Sequence, residues 1–600
     1  MILDSFQEVK LYVKESIELP DILKNRFPKI QFVYQPKNIQ EIQKIFSYSR
    51  KNKIPIIPRG AATSGIGNIT PVKKSIMMDL TNLNKILDFD RKKKIIYFEA
   101  GLRWWELIYF LKNHSLSVYT YPTSLFSTIG GWLCTGGYGI NSFKYGHISN
   151  FVDAIEVVIP NKTMTVNRND REFKYFIGTE GQMGIISKIK LKVRELIPSK
   201  SYLIFFNNIS EAFSFLSDIL KLSKIQPVHI SFYDRYRLQE KNLLLNENIS
   251  FPELEGIFIV YEDPLLETTI LKLIERKKGI LAEDYLTKFL WNERFFPLSV
   301  KRFYPSILGC EIILPIENLN LFIIKVRKFS KNYNIHLSIE ATLINKKEAI
   351  VFIIFPSDYK KFIYYFHLLL VYSLNHIALK FGAKPYGIGI WNLPLLKKKF
   401  SNKEFKDYMR FKKEKDPLNL INPGKSLSIY HRITYFLKFI YLISALLSNN
   451  YYFFKPFFKI LSLYNKMEKR AVPEIEACSN CGACTIVCPS YLINNNEIVT
   501  AKGKLFILKN LLNGSSISKS IAEKIFLCLH CHLCEYVCQS KLELMPVWDR
   551  LETIVEKTFK RPEEKINEFI KQVESHPSYA KLLDLLNISS NNNQERIKNV

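Results

Sequence analysis

Eight of the ten cysteines fall in two short runs. Cys478, Cys481, Cys484 and Cys488 follow the pattern C-x-x-C-x-x-C-x-x-x-C-P, and Cys528, Cys531, Cys534 and Cys538 repeat it with Gln539 in place of the proline. Three thiolates from a tight loop can reach three irons of one cubane, whereas the fourth cysteine, entering the next helix, points away and ligates the neighbouring cluster. The spacing therefore predicts two 4Fe-4S clusters with crossed ligation: Cys478, Cys481, Cys484 and Cys538 around one, and Cys528, Cys531, Cys534 and Cys488 around the other. A tetrahedral zinc ion needs only two converging pairs of ligands, which this pattern overshoots. His530 and His532 read as neighbours of a cluster or as surface residues, and Cys134 and Cys310 as small buried apolar residues. Cysteines gathered in this way suit metal ligation in a reducing compartment better than a disulfide framework. Clusters carry single electrons while most organic substrates release two, so a flavin able to split the pair is expected upstream.

Three small-residue loops in the first third of the chain could receive such a cofactor. Pro58-Arg59-Gly60-Ala61-Ala62-Thr63-Ser64-Gly65 follows the apolar strand IPIIP, so a phosphate could approach its backbone closely, with N–H groups forming an anion nest and Arg59 adding charge. The second loop, Ser127-Thr128-Ile129-Gly130-Gly131, continues to Thr135-Gly136-Gly137-Tyr138-Gly139. The third is Gly178-Thr179-Glu180-Gly181-Gln182-Met183-Gly184-Ile185-Ile186. Singly, glycine loops are ordinary turns; their order and spacing carry the signal.

The elements that position these residues read as an α+β chain. Short β-rich segments alternate with helical patterns between Phe32 and Arg194, and a second alternating α/β stretch follows from Leu196 to Lys425, including GIFIVYE, GCEIILP and AIVFIIFP. We expect a flavin domain over 28–195, a cap domain over 196–425, an aromatic helical linker over 426–470, a two-cluster domain over 471–545 and a helical tail over 546–600. The linker is too broken by Lys438, Lys455 and Pro456 to span a bilayer; it reads as helices packed between domains or as a segment lying on lipid. The start, MILDSFQEVKLYVKE, has no secretory pattern, so the expected location is cytoplasmic, with peripheral contact at the membrane face as a second expectation. The formal charge of +29 is spread along the chain and comes with no nucleic-acid motif, which excludes nucleic acid as an expected partner.

Together the P-R-G loop, the T-I-G-G stretch and G-x-E-G-x-x-G-I-I resemble the FAD-binding domain of the vanillyl-alcohol oxidase and p-cresol methylhydroxylase (PCMH) superfamily. Asp416-Pro417-Leu418-Asn419-Leu420-Ile421-Asn422-Pro423-Gly424-Lys425 resembles the closing D-P-x-x-x-x-N-P-G-K of these flavoproteins. The cysteine part, with TAKGKLFILKNLL between its runs, resembles the iron–sulfur subunit of bacterial glycolate oxidase without its later C-C-G half. The resemblance implies a PCMH-type FAD-binding domain, an α/β cap and a helical dicluster ferredoxin-like domain. It places Arg59, Gly60, Ala61, Ala62, Thr63, Ser64, Pro122, Thr128, Ile129, Gly130, Gly131, Thr135, Gly136, Gly184, Ile185, Ile186 and Lys425 around FAD. Ala61 and Ala62 stand where some relatives attach the flavin through histidine, so non-covalent FAD is expected.

The hydroxy-acid dehydrogenases of this superfamily carry G-H-x-G-D-G-N-x-H and G-E-H-G-I-G motifs. The nearest stretches here, IEATLINKKEAIVFIIF and Lys384-Pro385-Tyr386-Gly387-Ile388-Gly389, lack their histidines and glutamate. Tyr386 remains the candidate acceptor of a substrate hydroxyl proton, with a packed tyrosine as the alternative. Arg294 of Trp291-Asn292-Glu293-Arg294 resembles a carboxylate-binding W-x-x-R arginine, with a plain surface arginine as the alternative. The expected activity is an FAD-dependent dehydrogenase that oxidises a small hydroxylated substrate, first a 2-hydroxy acid such as glycolate or D-lactate. Its electrons would pass through both clusters to a quinone or a separate cysteine-rich acceptor subunit. The alternatives are a sugar-alcohol or aldonolactone dehydrogenase and an electron-transfer subunit with a degenerate substrate pocket.

Overall fold

The computed structural model describes residues 1–15, 27–223, 226–245, 249–425, 427, 432–449 and 472–576. Its architecture is α+β. The flavin-side unit holds two sheets. The first orders the strands Ile2–Leu3, Ile30–Tyr34, Ser75–Asp79 and Ile56–Arg59, the last three parallel. Strand Ser75–Asp79 is buried throughout and reads SIMMD, as an inner parallel strand does. The connecting helix Ile39–Asn52 starts at Asn38, whose side chain accepts from the Glu41 N–H, and turns Ile42, Ile45 and Phe46 onto the sheet. The second sheet is antiparallel, ordered Ile86–Asp90, Ile95–Glu99, Ile185–Lys192, Val152–Ile159 and Lys162–Asn167.

The cap is built on one large sheet ordered Ile280–Leu281, Lys200–Phe206, Glu255–Tyr261, His229–Tyr233, Ser338–Leu343, Glu348–Ser357, Ser306–Pro315 and Lys384–Pro385. The two-residue period of a strand divides its faces. Ile230 and Phe232, Ile339 and Ala341, Val351 and Ile353, and Cys310 and Ile312 pack into one core with the helices Ile209–Lys221 and Ile316–Tyr333. The alternate residues face the flavin-side unit and roof a cavity. The chain then returns to the first sheet. Asp416 accepts from the Leu420 and Ile421 N–H groups, and Ile421 bridges to Ile56.

Of the expected linker, the helix Arg432–Asn449 packs on the cap: the Ser373 hydroxyl of the helix Ile363–Lys380 donates to the Ser444 carbonyl and the Tyr333 hydroxyl to the Leu447 carbonyl, while Leu437 joins a core cluster that includes Val72 of the flavin-side unit. Residues 426, 428–431 and 450–470 of the linker and 577–600 of the tail lie outside the described residues.

The cysteine region is helical, with Ile507, Ile525, Trp548 and Leu551 in its core. Its two cysteine loops share one backbone path. Asn480 and Gly482 flank Cys481 at φ 52° and 73°, and His530 and His532 flank Cys531 at φ 47° and 60°. Left-handed residues on both sides of the middle cysteine let each loop curl back on itself.

Candidate active site

One cavity of about 1140 Å³ runs from the small-residue loops of the flavin side to the face of the cap sheet. Gly60 to Ser64, Pro122, Thr128, Gly130, Gly131, Thr135, Gly136, Gly184, Ile185 and Ile186 all line it. The loops meet tightly. Thr128 caps the helix Ile129–Thr135 by accepting from the Gly131 N–H, and a Cβ on Gly60 would lie 2.3 Å from the Thr128 hydroxyl oxygen. Only glycine lets these two loops approach. The result is a wall of backbone and small side chains suited to a dinucleotide diphosphate.

Three expected flavin contacts are corrected. Arg59 borders the cavity, but its guanidinium turns away, fully buried, and donates to both Glu497 oxygens at 2.8 and 3.0 Å and to the Tyr12 carbonyl at 3.1 Å. Its charge is spent on carboxylates, so anion binding on this wall falls to main-chain N–H groups. Ile129 points into the core under the loops. Lys425 is fully buried away from the cavity, donating to the Gly67 and Thr70 carbonyls; burial pushes its ammonium down to about 7. These groups are structural because the chain supplies their partners.

On the cap face, Tyr233, Glu340, Phe352 and Glu311 form one row across four adjacent strands. Tyr386 lies beside it, and the structure corrects its expected role. Its hydroxyl donates to the Tyr138 carbonyl at 3.0 Å and accepts from the Tyr138 N–H at 3.2 Å, while burial and the nearby Glu311 raise its pKa. A phenol held at both ends and pushed upward cannot serve as a base near neutral pH. Glu311, which the sequence reading missed, has the right properties. Its carboxyl is exposed to the cavity with no hydrogen-bond or ion-pair partner among the described residues, and its enclosure by the surrounding protein raises it to about 7. The available signal was a lone glutamate at an alternate position of the apolar strand GCEIILP.

Arg294 also lines the cavity, its guanidinium carbon 3.6 Å from the Trp291 ring centre and 3.8 Å from that of Phe295. Among the described residues no carboxylate pairs with it, its Nε lacks a partner, and burial lowers its pKa. The neighbouring charges are compensated: Arg237 pairs with Glu240 and Glu340, and Lys241 with Glu293. Cys310 is buried and Cys134 half-buried, both at the cavity wall.

The cysteine region docks directly on this cavity. A Cβ on Gly482, between Cys481 and Cys484, would lie 3.4 Å from the Ala61 carbonyl, and Lys301 of the cavity wall donates to the Cys478 carbonyl at 2.7 Å. Glu497 is the hub of the interface, bonded to Arg59 on one side and to Lys502 at 2.5 Å on the other. Burial alone would raise its carboxyl, but Arg59 and then Lys502 hold it down at about 2. At the cap, Lys541 pairs with Glu293, and Arg302 with Glu474 at 3.1 Å.

Around the cysteines, burial raises every shifted thiol, and the next influences show the grouping. Cys484, raised to about 12, has Cys481 and Cys478 as its cysteine neighbours; Cys538 has Cys481 and Cys478; Cys488, raised to about 11, has Cys528 and Cys531. The fourth cysteine of each run thus faces the other run. Eight thiols in two groups fit two cubanes, whose irons would hold them deprotonated. Lys502 stands near the first group and Lys504 near the second. His530 pairs with Glu552 at 2.9 Å and exposed His532 with Glu535 at 2.7 Å, which leaves both outside the ligand sets.

Residues 30–166 match the FAD binding domain family and residues 474–542 the 4Fe-4S dicluster domain family. D-lactate dehydrogenase of Anaerostipes hadrus is 23% identical over 49% of this chain and 67% of its own length. The glycolate oxidase subunit GlcD of Bacillus subtilis is 23% identical over 66% of this chain and 88% of its own. Alkyldihydroxyacetonephosphate synthase of Dictyostelium discoideum is 29% identical, with only 38% of its length covered. Among solved structures, substrate-bound p-cresol methylhydroxylase superposes with a TM-score of 0.58 at 14% identity, over 71% of this chain and 94% of that one, a likeness of fold. With these domains in one polypeptide, the chain is a flavin- and iron–sulfur-dependent oxidoreductase, related to glycolate oxidase and D-lactate dehydrogenase.

Proposed function

We propose that the chain oxidises a hydroxylated substrate, in the first instance a 2-hydroxy acid, and delivers the electrons one at a time to a quinone or a cysteine-rich partner protein. The observation that carries this reading is the direct seat of the first cysteine loop on the flavin-side wall, Gly482 against Ala61. FAD supplies the two-electron acceptor, and the clusters the single-electron exit. In this reading Gly60 to Ser64 and Thr128 to Gly131 cradle the diphosphate of FAD, and Ile185 and Ile186 flank the bound cofactor. Arg294, whose Nη1 already donates to the Trp291 carbonyl and with which no carboxylate of the described residues pairs, binds the substrate carboxylate through its remaining donors. Glu311 takes the hydroxyl proton as the carbon–hydrogen bond is broken. Cys478, Cys481, Cys484 and Cys538 would hold the cluster on the cavity side, beside Gly482 and Ala61, and Cys488, Cys528, Cys531 and Cys534 the one beyond it, which together would supply the single-electron exit.

The test is anaerobic mixing of holoenzyme with glycolate, D-lactate, 2-hydroxyglutarate and a polyol panel, followed at the flavin band and by electron paramagnetic resonance. Flavin bleaching followed by reduced-cluster signals is expected. Bleaching that requires a co-purifying protein would favour the second reading, an electron-transfer subunit, which the engaged Tyr386 hydroxyl and the missing histidines support.

A further inference from the structure

One end of the cavity is lined by apolar side chains that a two- or three-carbon acid does not use. At that end it runs between the cap helix Ile363–Lys380 and the helix Arg432–Asn449, which contribute only apolar and aromatic side chains to its wall, among them Tyr365, Leu369, Leu437 and Ile440. Ile354 of the cap sheet continues this lining toward Phe352 and Glu311. The arm opens at the surface. Phe362 and Phe436 line the cavity yet are 74% and 50% exposed, so they form its rim. Beside that rim the helix Arg432–Asn449 carries a second apolar stripe, with Tyr435, Phe439 and Leu442 all exposed. A surface helix apolar on both faces is built to meet apolar matter on both.

We propose that this arm binds the alkyl chain of an amphiphilic hydroxylated substrate, whose polar end reaches Glu311 and Arg294 while its chain lies between the two helices and enters past Phe362 and Phe436. The proposal rests on the oxidoreductase reading above and names its substrate class. In the reaction the carbinol C–H leaves with two electrons to FAD, the O–H proton goes to Glu311, and a C=O bond forms in place of the single bond. The two electrons leave through the clusters to the acceptor.

Two arguments assign the arm to the electron donor and not to a quinone tail. The acceptor is served through the cysteine region, which docks on the cavity at Ala61 and Lys301, so it has no need to enter the cavity. The lining of the arm also continues through Ile354 and Phe352 from the row that holds Glu311, where the hydroxyl must sit. With a small acid bound, the apolar lining of the open arm would stay against water, whereas an alkyl chain covers it.

The test uses holoenzyme and a homologous series: lactate, 2-hydroxyoctanoate, 2-hydroxydodecanoate and 2-hydroxyhexadecanoate, each below its micellar concentration, with flavin bleaching as the readout. The ratio kcat/KM should rise with chain length, at most about three- to fourfold per buried methylene, mainly through KM. Leu369→Trp and Ile440→Trp, filling the arm, should flatten that rise, with flavin spectra and melting curves reporting that each variant is folded. Displacement of fluorescent cis-parinaric acid gives a readout independent of turnover. Equal kcat/KM along the series, with lactate bleaching the flavin, would overturn the alkyl-chain inference and leave the oxidoreductase reading standing. Parinaric acid bound by the wild type and lost in Ile440→Trp, with no hydroxy acid of any length bleaching the flavin, would support the arm and overturn the hydroxy-acid reading. Failure of both readouts would overturn both.

Discussion

Replacing Glu497 with glutamine tests whether one carboxylate joins the two redox units. The side chain is fully buried and faces two cations, Arg59 at 2.8 Å and Lys502 at 2.5 Å. Its carboxyl is held at about 2 against an ordinary value of 4.5, which corresponds to about 3 kcal/mol of folded-state preference for the charged form. Removing one partner of a buried pair costs about 3–5 kcal/mol by a separate route, because the cations are left uncompensated. The two figures agree. Because the folded pKa is depressed, the contribution is present above about pH 4.5 and is lost as pH falls through about 2. At neutral pH, Glu497→Gln should therefore lower the apparent Tm of the cluster region by roughly 12–24 °C, taking about 4–8 °C per kcal/mol for a unit of this size. The assay is paired melting under anaerobic conditions, with flavin fluorescence for one unit and cluster absorbance for the other. The wild type should lose both signals together, and the variant should lose cluster absorbance first. Coincident, unshifted transitions in the variant would refute the reasoning. Arg59→Met in the Glu497→Gln background should cost less than the sum of the two single changes, the remainder coming from the second buried partner of Arg59, Asp79, at 3.4 Å.

Glu311→Gln should cut kcat by about 10²–10⁴, the range for loss of a positioned base. In the wild type, activity should rise with pH through a midpoint near 7, and the glutamine variant should lose that limb; an unchanged profile would exclude Glu311 as proton acceptor. The same carboxyl is raised in the folded state, so its stability contribution is full below about 4.5 and lost as pH rises through about 7, which pH-dependent melting of wild type and variant can read. Tyr386→Phe should leave kcat within a few-fold while costing about 1–3 kcal/mol of stability, because the Tyr138 peptide loses both bonds; a large fall in kcat without destabilisation would restore the tyrosine as the base. Cys538→Ser should alter the resonance of the flavin-proximal cluster, and a change confined to the other cluster would refute the crossed assignment.

The cysteine runs were legible because cluster ligation imposes a strict local spacing, and the flavin loops because close backbone approach demands small residues in a fixed order. Arg59 was misread for a physical reason: its partner Glu497 is 438 positions away, and nothing in the P-R-G loop reveals which way a long side chain turns. Glu311 was hidden inside an apolar strand, where only the register against Phe352 shows that it faces the cavity. Tyr386 was correctly placed at the cavity but assigned the wrong work, since the Tyr138 peptide that occupies its hydroxyl is brought there by tertiary folding alone. The linker composition announced apolar contact; the side on which the helix Arg432–Asn449 packs was set by a cap helix 50 to 80 positions earlier in the chain.

The exchange of fourth cysteines has a consequence for damage and repair. With Cys538 committed to the first cubane and Cys488 to the second, each run closes the other's coordination, so neither half can be completed alone. Loss of the cluster held by Cys528, Cys531 and Cys534 would free Cys488, and from there the helix Pro489–Asn494 leads to Glu497 and the flavin wall. Damage at one end of the wire would thus reach its other end through the chain itself.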